Sequence, residues 1–167
     1  MTSTYEKRRE KADIYIPVQR QIATGLLIQK NLISVVFTPP TYREDAVNGV
    51  DDYIDIERMK VAYRVRNFEA YEYWRWGFTL RTSKKYGYPS ELEKVMAQEA
   101  SYADWLLYSL ADPHEEGQLA ASVLIDLKSV GAQLVAHPEI LAEAHRTDYF
   151  VDLPYTAFPD DVVIGIH

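Results

Sequence analysis

From Ile14 onward the apolar positions Ile14, Val18, Ile22, Leu26 and Leu27 recur at helical spacing, which places them on one stripe of an amphipathic helix. The spacing predicts a first helix over about 14–32, with the charged residues before it as a solvated leading turn and Pro17 near its start or bending it. The period then shortens. Residues 34–38 (SVVFT) are β-branched and closed by Pro39-Pro40, so they predict a strand or extended arm leading into a loop that runs to the turn signal Asn48-Gly49. Three strand-like segments follow at 50–56, 60–66 and 78–82. In the second, VAYRVR, alternation sends Val61, Tyr63 and Val65 to one face and Ala62, Arg64 and Arg66 to the other. Two arginines therefore share a face.

The stretch 67–77 (NFEAYEYWRWG) is rich in aromatic residues but has no period that assigns it. Beyond Pro89, Ser90 is placed to cap a helix over 91–100, whose Leu92, Val95 and Met96 form the apolar stripe. Residues 104–110 and 121–127 predict two further strands, separated by a polar turn through Asp112, Pro113 and Gly117, and 128–135 predicts a short helix ending before Pro138. The last segment, 136–167, carries Pro154 and Pro159 and predicts an irregular tail, whose final VVIGI could add an edge strand or dock elsewhere. The order of helix, strands, helix, strands belongs to α/β or α+β folds. We expect one domain over 1–167, with its core at about 33–135.

Composition agrees with that size: 167 residues, 47% hydrophobic and 26% charged, suffice for one buried core. The absence of cysteine excludes a disulfide framework, a thiolate zinc site and a cysteine nucleophile, and suits a cytoplasmic location. The charged start at 1–11 offers no secretion signal, and no apolar run approaches a membrane span, so export by that route and membrane insertion are not expected. The net charge of −7 argues against indiscriminate nucleic-acid coating. Charge is uneven, however: basic residues gather at 7–11 and again between Arg58 and Lys85, while acids dominate the last third, so a local basic groove is allowed.

No Gly-x-Ser-x-Gly elbow, phosphate-binding glycine loop or His-Glu-x-x-His helix is present, and His114, His137, His145 and His167 have the spacing of ordinary surface or turn residues. The chemistry-bearing block is Glu44-Asp45, then NGVDDYIDI, VAYRVR, FTLRT and SELEK. An acid opening one strand, polar residues two apart on the next and an acid–lysine pair on the following helix could converge at one end of a sheet. Carboxylates there would suit Mg²⁺, which activates water and polarises a phosphodiester, with arginine or lysine stabilising the developing charge.

This ordered set resembles the PD-(D/E)XK (restriction-endonuclease-like) nuclease superfamily, and within it a group of small, mostly phage-borne proteins. The shared features are a G-V-D-x-Y-I segment, an Arg-x-Arg strand, an F-T-L-R strand, a helix opening S-E-L-x-K and a D-W-L-L-Y strand, together covering about 15–130 of the chain. The resemblance implies an α/β fold with a central mixed sheet flanked by helices, Mg²⁺-dependent DNA cleavage, DNA as partner and action as a homodimer. It assigns Asp51 (with Asp52 adjacent) and Glu91 as metal ligands, Lys94 to orient water, and Arg64, Arg66 and Arg81 to hold phosphate. The sequence departs from the family where a strand acid and lysine belong: Ala62, Arg64 and Arg66 stand there. Arginine stabilises phosphate charge but is a poor general base. Glu91 and Lys94, three apart on one helix face, would have to supply both functions. Two other readings stay open: Arg64 and Arg66 as the solvated face of a half-buried sheet, and a non-catalytic factor of the same fold that binds nucleic acid or a host protein. For Tyr71, Tyr73, Trp74 and Trp76, core packing, a partner surface and stacking on bases are all open.

Overall fold

The clean alternation of VAYRVR becomes the strand β3, Met59–Arg66, around which a six-stranded sheet assembles. The computed structural model describes residues 4–28, 37–39, 52–54, 59–84 and 87–166. The other strands of this sheet are β1 (Phe37–Thr38), β2 (Asp52–Ile54), β5 (Trp105–Ala111), β6 (Leu119–Asp126) and β8 (Val163–Ile166), in the order β1-β2-β3-β5-β6-β8. β3 and β5 run parallel and every other pair is antiparallel, so the sheet is mixed. A parallel pair needs a crossover. The chain supplies one containing a short helix, Tyr71–Trp74 (α3), the strand Gly77–Arg81 (β4) and the helix Glu91–Met96 (α4).

Helices cover both faces. On one, Ile22, Ala23, Leu26 and Leu27 of α2 (Ile16–Ile28) pack against Val61, Leu107 and Leu124. Ser109 and Ser122 are register partners in this sheet, and the Ser122 hydroxyl donates to Ser109 Oγ at 2.9 Å, satisfying two fully buried groups. On the other face α4 and α5 (Leu127–Ala136) bury Leu92, Val95, Val130 and Leu134 against Leu106 and Ile125. Asp126 caps α5, its carboxylate accepting from the N–H groups of Lys128 and Ser129.

Several boundaries differ from those the sequence predicts. The single N-terminal helix is two, α1 (Thr4–Asp13) and α2, separated by a turn at Ile14-Tyr15; the charged leader is itself helical, and its polarity hid it from a search for apolar stripes. Residues 29–32 of the expected helix lie outside the described residues. The helix expected over 91–100 stops at Met96 because Gln98 adopts φ 50°, and the Glu99 N–H then bonds the Lys94 carbonyl at 3.0 Å. This is a left-handed C-terminal turn made without the glycine that usually announces it.

The irregular tail needs the largest correction. Residues 136–167 contain α6 (Glu139–Glu143), β7 (Phe150–Pro154) and β8. β7 pairs antiparallel with β4 in a separate two-stranded sheet, so FTLR is not a neighbour of VAYRVR in a meander. Phe78, Leu80, Val151 and Leu153 of this small sheet are buried in the larger core. Among the described residues no helix is long and apolar enough to cross a membrane.

Ser90 makes a full capping box: its hydroxyl accepts from the Glu93 N–H at 3.2 Å, and the Glu93 carboxylate accepts from the Ser90 N–H at 2.8 Å. The Ser90 N–H, then the Lys84 ammonium at 2.9 Å and the Ser90 hydroxyl, hold the Glu93 carboxyl down to about 2. Ser90→Ala removes a buried cap and is expected to cost about 1 kcal/mol, read as a lower urea midpoint at unchanged slope.

Candidate functional site

The arginines of β3 do share one face, as alternation requires, but that face is neither solvated nor an open active-site floor. β4 and α4 lie across it. Arg64 donates from Nη1 to the Thr79 carbonyl at 2.5 Å and from Nη2 to Glu91 Oε1 in a short ion pair. The second Glu91 oxygen accepts from the Arg81 N–H at 2.8 Å. The Arg64 and Glu91 side chains are each only 15% exposed. Burial works to lower the pKa of Arg64, but the Glu91 charge overcomes it and the guanidinium is held more firmly protonated than usual. Burial likewise pushes the Glu91 carboxyl up, and the Arg64 charge and hydrogen bond, with the Arg81 N–H, outweigh it and hold the group below the ordinary carboxylate range.

Arg66 is arranged in the same way. It donates to Thr79 Oγ1 in a short bond and from Nε to the Tyr108 hydroxyl at 3.1 Å, while its guanidinium stacks over the Phe150 ring at 5.1 Å. Thr79 thus accepts both arginines, one on its carbonyl and one on its hydroxyl, and the pair ties the central sheet to the small one. Arg81 contributes a backbone donor here and its side chain is exposed. Lys94, expected beside Glu91 in the chemistry, is buried with its ammonium 5.4 Å from the Tyr102 ring centroid.

Asp51, with Glu44 and Asp45, lies outside the described residues; Asp52 opens β2 with its backbone opposite Val61. Among the described residues no three His, Asp or Glu side chains form a group that could hold a metal ion. Glu91 does not fit the role of ligand to Mg²⁺ in this arrangement. A cation on its carboxylate would stand beside the Arg64 guanidinium, a repulsion of about 8 kcal/mol for a divalent ion at ~4 Å and an effective dielectric of about 20.

A second feature, with no signal in the sequence, is a cleft of about 660 Å³ between the small sheet, α6 and the aromatic turn at 73–76. Tyr108 and Thr79, the two groups bonded to Arg66, line it together with Tyr73 and Trp76. The aromatic cluster is therefore divided. Trp74 is buried and donates from Nε1 to the Tyr108 carbonyl at 3.2 Å, while Tyr71, Tyr73 and Trp76 are exposed. Glu139 and Glu143 of α6 also line it, as does Asp152 of β7, the register partner of Thr79. His145 Nδ1 lies 2.7 Å from Asp152 Oδ2. The signal that could have found β7 is FVDLP, whose Val151 and Leu153 alternate with Asp152 as a strand does; its terminal proline and short length masked it.

No protein-family model, no curated protein and no solved structure matches the chain.

Proposed function

We propose that this chain is a restriction-endonuclease-like domain that acts by binding, as a non-catalytic accessory factor, and not by hydrolysing DNA. A central mixed sheet with helices on both faces, and a parallel return through α4, supports the fold reading. One observation carries the functional reading: the Glu91 carboxylate, which a nuclease would use for metal, is bound on one oxygen by Arg64 and on the other by the Arg81 N–H. Arg64 in turn is held by Thr79, so the phosphate-binding arginine of the nuclease reading is part of an internal bracket joining β3, β4 and α4.

The test is incubation of supercoiled, linear and branched DNA with Mg²⁺ or Mn²⁺, alongside calorimetric titration of each metal. All three substrates are expected to stay intact and both titrations to stay flat. Metal-dependent cutting that disappears in folded Asp51→Ala and Glu91→Ala proteins would overturn the proposal and restore the nuclease, with Asp51 and Glu91 as its metal ligands.

A further inference from the structure

The cleft has the volume of a small-ligand or side-chain pocket, and its chemistry is one-sided. Glu139, Glu143 and Asp152 line it, Asp152 partnered by His145 at 2.7 Å and Glu139 by His137 at 3.0 Å, while no lysine or arginine lines it among the described residues. Tyr73 and Trp76 stand 75% and 62% exposed; the Tyr73 ring is open to an incoming group, and Trp76 already carries the Arg75 guanidinium over its ring. That guanidinium lies 4.9 Å from the Trp76 ring centroid, steadied by Glu72 at 3.3 Å. The nearest cation at the floor, Arg66, is engaged by Tyr108, Thr79 and the Phe150 ring.

We propose that this cleft receives an arginine or lysine side chain presented by a basic segment of a partner protein. The proposal rests on the binding-factor reading and names the class of partner. A cation seated there meets carboxylates and aromatic rings in one cleft, two attractions of the same sign. A phosphate backbone would meet three carboxylates instead, and a chain of net charge −7 adds to that repulsion. A protein segment suits the surroundings better than a free amine. Phe68, in the 3-10 turn before α3, and Tyr71, at its start, stack at 5.8 Å and are both exposed, leaving further apolar surface close in the chain to Tyr73.

The experiment is fluorescence anisotropy at physiological salt with a fluorescein-labelled peptide of alternating arginine and alanine. An equivalent glutamate peptide and a labelled single-stranded DNA serve as comparisons, and spermidine as competitor. Wild type should bind only the arginine peptide. Glu143→Lys and Tyr73→Ala, both at exposed positions, should each weaken it about tenfold, the loss of a charge or an aromatic contact at an anchor. Glu115→Lys, on the β5–β6 turn away from the cleft, changes the net charge equally and should leave binding within about twofold. The proposal fails if the arginine peptide does not bind or if the two charge reversals weaken it equally. It also fails if DNA binds more tightly, or if spermidine displaces the peptide at comparable concentration. DNA cleavage is scored in parallel samples with added Mg²⁺, so failure of the binding-factor reading registers separately from failure at the cleft.

Discussion

Replacing Glu91 with alanine should lower the melting temperature by roughly 10 °C, whatever it does to activity. The substitution leaves the Arg64 guanidinium in a nearly closed site without its carboxylate, and leaves the Arg81 N–H without its acceptor. Removing one member of a buried ion pair costs about 3–5 kcal/mol; the residual exposure of both side chains puts the expectation here at about 2–4 kcal/mol. Replacing both Arg64 and Glu91 by leucine removes the stranded charge as well, so the double variant should be more stable than Glu91→Ala alone.

The pH dependence has a definite sign. Glu91 has a folded-state pKa below its unfolded one, so its contribution is complete above the unfolded carboxylate value of about 4.3 and is lost as pH falls through the folded value. Wild type should therefore lose stability faster than Glu91→Ala as pH falls below about 4, and the two denaturation midpoints should converge. Urea melts across that range decide the matter; a constant gap down to the lowest pH would mean that Glu91 contributes through packing and not through its charge.

Gly131→Ala is expected to destabilise strongly for a different reason. Gly131 is on α5 where that helix crosses α4, and a Cβ there would overlap the Val95 carbonyl. A backbone oxygen cannot swing aside like a side-chain tip, so α4 must shift. Overpacking of this sort costs about 1–3 kcal/mol, and the gain of up to about 1 kcal/mol from alanine's helix propensity offsets only part of it. Since α4 carries Glu91, the shift also weakens the bracket to Arg64. Gly25→Ala supplies the comparison: it is an exposed position of α2 with no atom within 4 Å of the added carbon. The same change should there raise the urea midpoint. Opposite signs at the two glycines would establish close helix contact as the cause, whereas stabilisation at both would mean that α4 and α5 are less closely packed.

The site was half legible in the sequence. Alternation put Arg64 and Arg66 on one face, and S-E-L-E put Glu91 in the first turn of a capped helix. Both are properties of neighbours in the chain, and both hold in the fold. What covers the arginine face was not legible, because a two-residue period says which side chains travel together and is silent about what lies opposite. That was decided by β4, whose partner β7 lies about 70 residues further along the chain, in a segment that reads as irregular.

By itself, then, the sequence determined the local elements: the amphipathic α2, the alternating strand β3, the strands β5 and β6, the cap of α4 and the absence of thiol chemistry. Only the tertiary structure decided that Glu91 faces Arg64 instead of open solvent, that Thr79 holds two guanidinium groups, and that carboxylates of the tail share a cleft with the aromatic turn. The division has one physical cause. Helix caps and strand alternation are set by hydrogen bonds and sterics within a few residues, whereas charge pairing in a low-dielectric interior depends on which distant backbones the packing of the core brings together.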